Sequence, residues 1–402
     1  MDIFDFNKVP LWNGNPDESF EILSDDINGR IPVTRVEGWQ GFSELLENGF
    51  FNRPKTQLVY RGHRRFDWNL MPTLARVTTN GIIDQELASQ QLEHFRRAVR
   101  GRLSDNSLLL DETEDELWSV GQHHGLMTPL LDWTHSPFVG LFFAFMKEDV
   151  DEETDNPYRS VYILNKTFVS NDDICPEIRM FEPKMDDHGR LVNQAGLFTF
   201  SPFGSTIENE LINALANENF PDEDLLDSPL MLDAEGEIES DVQAGIIAKY
   251  ICKIFVKNEN REGCMKQLRR MNVHHASLFP DLIGASDHCN LIIAEERREY
   301  EIEKTETVIK ELVEIAEKQE ASEMVGAANL EEVSIFETIL TAYGDDKVEP
   351  GRIKLISERL SKSLSQYKVV DWHARESTVA SIRNRIRISL RKYGYPPNSR
   401  DA

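Results

Sequence analysis

The chain has 402 residues, of which 44 are Lys or Arg and 70 are Asp or Glu, so its formal net charge is −26. Hydrophobic residues make up 40% of the chain, which is enough for a well-buried core, and the length predicts two or three domains. The negative charge excludes a protein that coats nucleic acid by bulk electrostatics, because phosphate binding needs a cationic surface.

The first two thirds of the chain alternate helical and strand-like segments. Apolar residues at helical spacing predict helices over residues 37–49, 84–100, 114–124, 136–147 and 261–271. Short apolar runs bounded by turn residues predict strands over residues 57–62, 160–164, 197–200 and 249–256. This mixture predicts an α+β fold with a mixed or antiparallel sheet flanked by helices.

The composition changes near residue 290, where a second domain is predicted to begin. Before this point, the Asp-, Glu- and Pro-rich residues 217–241 indicate a surface insertion. After it, residues 295–323 have the pattern of a charged helix with a thin apolar stripe, and residues 330–392 continue the helical pattern. We therefore expect a lead-in segment over residues 1–34, a mixed domain over residues 35–290 and a helical domain over residues 291–402.

Targeting features are missing from the sequence. No apolar run reaches the roughly 18 residues of a membrane span, and residues 1–14 lack the basic and apolar regions of a signal peptide. The four cysteines are far apart and form no CxxC pair. We therefore expect a reduced, cytoplasmic protein without a membrane partner.

The densest group of polar and titratable residues lies in residues 122–137, between two predicted helices. A loop held between buried elements is where functional groups usually lie. On residue types alone, this segment is therefore a candidate functional site. Turn and cap chemistry remains an alternative, in which Asp132 caps a turn, Ser136 caps the next helix and the histidines bond buried carbonyl groups.

A second candidate segment is Val59-Tyr-Arg-Gly-His63, at the end of a predicted strand. Arg61 is followed by Gly62, so its planar guanidinium can bind a phosphate or carboxylate with the backbone close by. A surface ion pair of little energetic value remains the alternative interpretation of Arg61.

Together these segments resemble the FRG domain, a bacterial family named after an aromatic-Arg-Gly strand, here Tyr60-Arg61-Gly62. The family's main motif, Gln-His-aromatic-Gly-Leu-x-Thr-x-Leu-Leu-Asp-Trp-Thr-x-Ser-Pro with an apolar helix after it, is similar to residues 122–145. Later elements match Gln194–Thr199 and Ser277–Leu282, so the resemblance covers about residues 35–285. The chain departs from the pattern at His124, where an aromatic residue is usual. It departs again at Pro129, where a basic residue is common and where no anion contact is now expected.

The layout of the FRG domain is similar to that of ADP-ribosyltransferases, which implies a related sheet and NAD as the substrate. By this resemblance Arg61 binds NAD, Trp133 stacks on nicotinamide, and Asp132 stabilises the oxocarbenium-like centre that forms when the glycosidic bond breaks. Gln194 corresponds to the third motif, near the reacting ribose. The implied catalytic residues are Asp132, which is the first candidate for the carboxylate or base, His123, which is the second, and Gln194. The implied ligand-binding residues are Arg61, Gly62, Gln122, Trp133, Thr134 and Ser136.

Two further patterns carry less weight. Glu208-Asn-Glu210 has the Glu-x-Glu spacing of many such transferases, but the same spacing recurs elsewhere in this acidic chain, for example at Glu237-Ile-Glu239. A group of possible metal ligands comprises Cys264, His274, His275, His288 and Cys289. These residues lack the two close ligand pairs typical of zinc sites, so we predict no metal.

Residues 371–402 form the one clear basic segment of the chain, with a predicted helix that has an apolar face and an arginine-rich face. The segment resembles the extreme C-terminus of the restriction (motor) subunit of type I restriction–modification enzymes, most specifically in Leu390-Arg-Lys-Tyr-Gly-Tyr-Pro-Pro397. This resemblance implies docking on the methyltransferase subunits. The candidate docking residues are Trp372, Arg383, Arg387, Arg391 and Tyr393. Packing against the acidic helices of the same domain remains an alternative.

Two functions are compatible with these patterns. The first is an enzyme of bacterial antiphage defence that transfers ADP-ribose from NAD or cleaves NAD. The second is a non-enzymatic module that binds a nucleotide or a phage ligand and docks on a type I methyltransferase complex. The sequence has no GxxxxGK[ST] motif, and nucleic-acid contact is expected only through the basic tail or a partner.

Overall fold

The computed structural model describes residues 4–103, 105–149, 155–184, 193–216 and 244–323, and five helical positions nearer the C-terminus, residues 384, 386–388 and 392. The chain divides into two compact units, Met1–Asp287 and His288–Ala402. The predicted insertion at residues 217–241 lies outside the described residues, as does most of the predicted helical region at residues 330–392.

The first unit is built on a seven-stranded mixed sheet, which confirms the predicted α+β class. Its strands are β1 (Val33–Val36), β2 (Leu58–His63), β3 (Leu130–Thr134), β4 (Tyr158–Asn165), β5 (Met180–Phe181), β6 (Gly196–Phe200) and β7 (Ile251–Lys257). The strand order is β1-β7-β4-β2-β3-β6-β5. Strands β1 and β7 are parallel, and all other neighbouring strands are antiparallel.

Helices connect the strands, and four short 3-10 helices also occur among the described residues, at Phe6–Lys8, Leu74–Val77, Asn106–Leu109 and Asp111–Thr113. The longer helices are α2 (Gly38–Glu47), α3 (Gln85–Ala98), α4 (Glu114–His123), α5 (Pro137–Phe145), α7 (Ile207–Leu215), α9 (Arg261–Arg270) and α11 (Leu282–Glu323). The single-turn helices are α1 (Pro16–Ser19), α6 (Lys166–Val169), α8 (Ala244–Ile247) and α10 (His275–Leu278). No helix among the described residues has the length and apolar character needed to cross a membrane.

Cap residues explain several of these boundaries. Asp84 accepts a hydrogen bond from the Leu87 backbone N–H at 2.7 Å and begins α3, as the sequence predicts. Helix α2 ends at Glu47, two residues before the predicted end at residue 49, and Asn48 occupies its C-cap. The charged helix predicted from residue 295 is the continuation of α11, which begins earlier.

Strand β7 lies between β1 and β4 and is buried on both faces, so its period-two alternation does not mark an exposed surface. Lys253 in this strand is fully buried, and its Nζ donates to Asn28 Oδ1 at 3.1 Å. Burial lowers the pKa of Lys253 to about 7, although nearby carboxylates act in the opposite direction. Lys253 Nζ also lies 5.3 Å from the ring centroid of Tyr162 on β4.

The strands of the sheet pair extensively on either side of one poorly paired junction, between β2 and β3. Strand β2 pairs with β4 along its whole length, and β3 pairs with β6 along its whole length. By contrast, β2 and β3 share only the pair Tyr60–Thr134. Helix α5 packs closely on this region, since a Cβ at Gly62 would lie 1.9 Å from the carbonyl oxygen of Gly140. The sheet is therefore open between β2 and β3. Because Gly62 has no side chain, helix α5 can pack directly on β2 at this point.

Candidate functional site

A cavity of about 510 Å³ lies in the first unit at the opening between β2 and β3. It brings together eight of the nine predicted catalytic and ligand-binding residues. These are Arg61, Gly62, Gln122, His123, Asp132, Trp133, Thr134 and Gln194. The ninth, Ser136, does not line the cavity. Residues that are distant in sequence thus meet at one site, because β2, β3, the end of α4 and the start of β6 converge there.

Two of the three guanidinium nitrogens of Arg61 are held by hydrogen bonds. Its Nη1 donates to the backbone carbonyl of Asp132 at 2.8 Å and to the carboxylate Oδ2 of the same residue at 3.3 Å. Its Nε donates to His63 Nε2 at 3.0 Å. Among the described residues, none accepts a hydrogen bond from Nη2 of Arg61. This arrangement leaves the N–H groups of Nη2, on a side chain that lines the cavity, available to an anion.

Asp132 occupies the one exposed position of β3, and 57% of its side chain is exposed. Its Oδ1 accepts a hydrogen bond from Gln122 Nε2 at 2.8 Å, and its Oδ2 pairs with Arg61. Gln122 Oε1 in turn accepts from the Thr128 hydroxyl, which fixes the orientation of the Gln122 amide. The carboxylate is therefore held in place from both sides. It suits electrostatic stabilisation of a cation better than proton abstraction, because donors already occupy both oxygens.

The end of α4 places Gln122 and His123 at the cavity. Gly125 follows the helix with a φ of +84°, and the Leu126 N–H donates to the Gly121 carbonyl at 2.9 Å. This is the Schellman arrangement that glycine favours at helix C-termini. The predicted helix end before Gly125 is thus confirmed, and the tight turn keeps the last helical side chains beside β3.

Trp133 is not placed to stack on a ligand ring. Only 2% of it is exposed, and its indole Nε1–H donates to the Thr199 hydroxyl at 3.0 Å within the sheet. The indole packs in the main apolar cluster with Leu131 and Leu197. The expectation that Trp133 stacks on nicotinamide is therefore corrected. The burial of the indole and its hydrogen bond to Thr199 give Trp133 a structural role in the sheet.

Trp68 is the exposed aromatic residue of the cavity, and the sequence analysis missed it. It is 43% exposed, and the Arg64 guanidinium lies 5.7 Å from its ring centroid. Arg64 pairs with Asp149 at 3.4 Å, and Asp149 also pairs with the buried Arg159 at 2.9 Å. No local pattern singles out Trp68, because its role depends on the turn that carries it back over β2.

Thr134, Ser136 and Gln194 are joined by hydrogen bonds. The Thr134 hydroxyl donates to the Gln194 backbone carbonyl at 2.6 Å and accepts from the Ser136 N–H at 3.1 Å. Ser136 Oγ accepts from the Val139 N–H at 3.4 Å and caps α5, which is the cap alternative raised from the sequence. Gln194 Nε2 donates to the Leu278 carbonyl at 3.0 Å. These contacts brace the wall of the cavity.

The two glutamates at Glu-x-Glu spacing do not reach this site. Glu208 accepts a hydrogen bond from the Arg30 N–H at 2.9 Å, and neither Glu208 nor Glu210 lines the cavity. Among the described residues, Asp132 is the only carboxylate in the lining, which also contains the cations Arg61, Arg64 and Lys147. The cavity is thus more basic than the acidic chain as a whole.

The described part of the chain contains no group of three or more Cys, His, Asp or Glu residues that could hold a metal. Of the weaker candidates, Cys264 is fully buried, and His274 caps α10 by accepting a hydrogen bond from the Ser277 N–H. His275 packs with its ring 5.0 Å from that of Phe142.

The docking candidates of the basic tail lie mostly outside the described residues. Only Arg387 is described, and its Nη2 pairs with Glu306 Oε1 of α11. The apolar residues Val308, Ile309 and Ile386 of the second unit are buried. Trp372, Arg383, Arg391 and Tyr393 belong to the undescribed part.

Comparison with known families gives two matches. Residues 56–153 match the FRG domain, a range that contains the β2 strand, the end of α4 and β3. Residues 294–402 match the family described as type I restriction enzyme HindI endonuclease subunit-like, C-terminal. No curated protein and no solved structure matches the chain.

By class, therefore, the chain has an α+β unit and a second unit whose described residues are helical. In particular, residues 56–153 are similar to the FRG domain, and residues 294–402 are similar to the C-terminal region of a type I restriction endonuclease subunit. Both resemblances are confirmed, the first over residues 56–153 of the predicted range 35–285.

Proposed function

We propose that this chain is an FRG-domain effector of bacterial antiphage defence that binds NAD in the β2–β3 cavity and breaks its nicotinamide–ribose bond. One observation carries the proposal: Arg61 lines the cavity with its Nε and Nη1 held by His63 and Asp132, its Nη2 has no acceptor among the described residues, and Asp132 is the only described carboxylate in the lining.

The cavity offers complementary chemistry to both parts of a dinucleotide. Nη2 of Arg61, together with Arg64 and Lys147, provides positive charge for a pyrophosphate. The exposed indole of Trp68 offers a surface for a planar base or nicotinamide ring. A volume of about 510 Å³ is within the range of ligand pockets, roughly 300–1,000 Å³.

The reaction assigns a simple part to Asp132. The bond between ribose C1′ and the nicotinamide nitrogen breaks, its electron pair leaves with nicotinamide, and positive charge develops at C1′. The Asp132 carboxylate stabilises this charge, while Arg61 and Gln122 hold the carboxylate in position. Water or an acceptor nucleophile then forms the new bond to C1′ and loses a proton, for which His123 in the lining is the candidate acceptor.

Loss of labelled NAD, and label transfer to protein and nucleic acid, test this proposal on the full chain, alone and with a type I methyltransferase complex and DNA. We expect turnover that falls about 100-fold in Arg61→Ala and in Asp132→Asn. Arg97→Ala is the matched control, because Arg97 is an exposed, ion-paired arginine that does not line the cavity. Equal turnover in all four proteins would refute the proposed site.

A second function is favoured by the match at residues 294–402. In this proposal the chain belongs to a restriction-related assembly, the FRG cavity binds a nucleotide or a phage ligand without converting it, and the tail docks on methyltransferase subunits. Co-purification of the full chain with those subunits, lost in Trp372→Ala combined with Arg391→Ala, supports docking. Docking combined with binding but no turnover of NAD selects this second function over the first.

A further inference from the structure

His63 does not line the cavity, but it contacts Arg61 and the backbone of Trp68, two residues that do. Its Nε2 accepts the Arg61 Nε–H at 3.0 Å, so this nitrogen carries no proton. The proton of the neutral ring is then on Nδ1, which lies 3.4 Å from the backbone carbonyl oxygen of Trp68. A single tautomer of one imidazole thus contacts both the arginine and the segment that carries the exposed indole.

The surroundings of His63 favour this neutral tautomer. Only 6% of the residue is exposed, and its ring centroid lies 5.2 Å from that of Tyr162. The Tyr162 hydroxyl donates to the same Trp68 carbonyl at 3.1 Å. Burial, and then the positive charges of Arg61, Lys253 and Arg76, hold the pKa of His63 well below its usual value, against a smaller opposing effect of the Trp68 carbonyl.

We propose that His63 is a positioning residue that fixes the anion-binding Arg61 and the ring-binding Trp68 relative to each other. The identity of the ligand rests on the proposed function, but the positioning role rests on the two contacts of the imidazole. A neutral acceptor at Nε fixes the plane of the Arg61 guanidinium and leaves Nη2 available for an anion. The Trp68 segment needs a donor at Nδ1 in addition to the Tyr162 hydroxyl.

Two conservative variants separate the two contacts. In His63→Gln, the side-chain oxygen can reach the place of Nε2 and accept from Arg61. In His63→Asn, the amide can reach the place of Nδ1 and donate to the Trp68 carbonyl. His63→Ala removes both contacts. Circular dichroism and thermal melting show which variants fold before binding is compared.

Binding of inorganic pyrophosphate reports on Arg61, and binding of NAD reports on both ends. We expect His63→Gln to bind pyrophosphate within about threefold of wild type, and His63→Ala and His63→Asn to bind it about tenfold more weakly. The double variant Arg61→Ala, His63→Ala should bind pyrophosphate as weakly as Arg61→Ala alone, because both changes remove the same Arg61–His63 contact. Additive losses, or wild-type affinity in His63→Ala, would overturn the positioning role.

Nitrogen-15 NMR of labelled histidine and arginine tests the same role without any ligand. We expect the His63 ring to be neutral, with its proton on Nδ1, at pH 7 and at pH 6, and the Arg61 Nε–H to exchange slowly in wild type and His63→Gln but fast in His63→Ala. A protonated ring or the opposite tautomer would overturn the proposal. If wild type binds neither pyrophosphate nor NAD, the proposed function fails, while the NMR result still decides the role of His63.

Discussion

Two arginine–aspartate pairs in the first unit differ in how completely their hydrogen bonds are satisfied. Arg159 is 1% exposed, and all three of its nitrogen positions donate, to Asn258, to the Arg64 carbonyl and to Asp149. Arg61 has the same kind of partner in Asp132, yet one of its nitrogens has no acceptor among the described residues. The pair Arg159–Asp149, in which every arginine nitrogen has an acceptor, is a closed pair that supports the fold. The pair Arg61–Asp132, in which one arginine nitrogen has no acceptor among the described residues, is an open pair that is suited to binding an anion.

The largest expected effect comes from breaking the closed pair. Arg159→Ala leaves Asp149, whose side chain is only 22% exposed, without its buried cation, and should lower the free energy of unfolding by about 3 kcal/mol. Urea unfolding followed by circular dichroism measures this loss. An Arg159→Ala protein as stable as wild type would show that the closed pair does not support the fold.

The open pair should behave in the opposite way. Arg61→Ala should change the free energy of unfolding by at most about 1 kcal/mol, because the Asp132 carboxylate is mostly exposed and screened by water. The same variant should lose about 100-fold in NAD turnover. Arg61→Lys should recover little of the turnover, since an ammonium group cannot contact Asp132, His63 and a phosphate at once. Full recovery by lysine would show that charge alone is enough.

The two tryptophans of the site sharpen the same contrast. Trp68→Ala should weaken NAD binding about tenfold with little change in stability, because the lost surface is exposed. Trp133→Phe should leave binding unchanged but cost about 1–2 kcal/mol, because the buried Thr199 hydroxyl loses its partner. Calorimetric titration combined with urea unfolding separates the two effects. The reverse outcome would return the stacking role to Trp133.

Lys253, behind the site, gives the smallest expected effect. Its folded pKa of about 7 lies below the usual value of 10.5, so the unfolded chain binds more protons between these values, and stability should rise as the pH rises. Replacement of Lys253 by Met should remove about 1 kcal/mol of that rise between pH 7.5 and pH 8.5. The carboxylates facing this lysine are Asp25, Asp67 and Glu208. An identical pH dependence in both proteins would show that Lys253 stays charged when folded.

Much of the fold could be predicted because its signals are local. The Asp84 and Ser136 caps, the turn at Gly125 and the apolar runs of the strands depend on neighbours in sequence. Eight of the nine catalytic and ligand-binding residues that the resemblance implied line the cavity. The opening of the sheet could not be predicted, because it depends on how far β2 and β3 pair after folding.

The mistakes at the site have the same origin. Trp133 belongs to a conspicuous sequence motif, but in the fold it is buried and donates a hydrogen bond to Thr199 on the neighbouring strand β6. Trp68 stands in no motif, and it lines the cavity because the segment after β2 folds back to His63 and Tyr162. Chain-distant contacts of this kind determine which side chain meets a ligand.

Equilibrium binding of NAD to the full-length wild type and Arg61→Ala proteins tests the central claim most directly. If Nη2 of Arg61 binds the pyrophosphate, the wild-type protein should bind NAD, and Arg61→Ala should bind it at least about tenfold more weakly. The Arg97→Ala control should bind NAD as tightly as wild type. Equal affinity of all three proteins for NAD, or no binding by wild type, would contradict the assignment of this cavity to NAD.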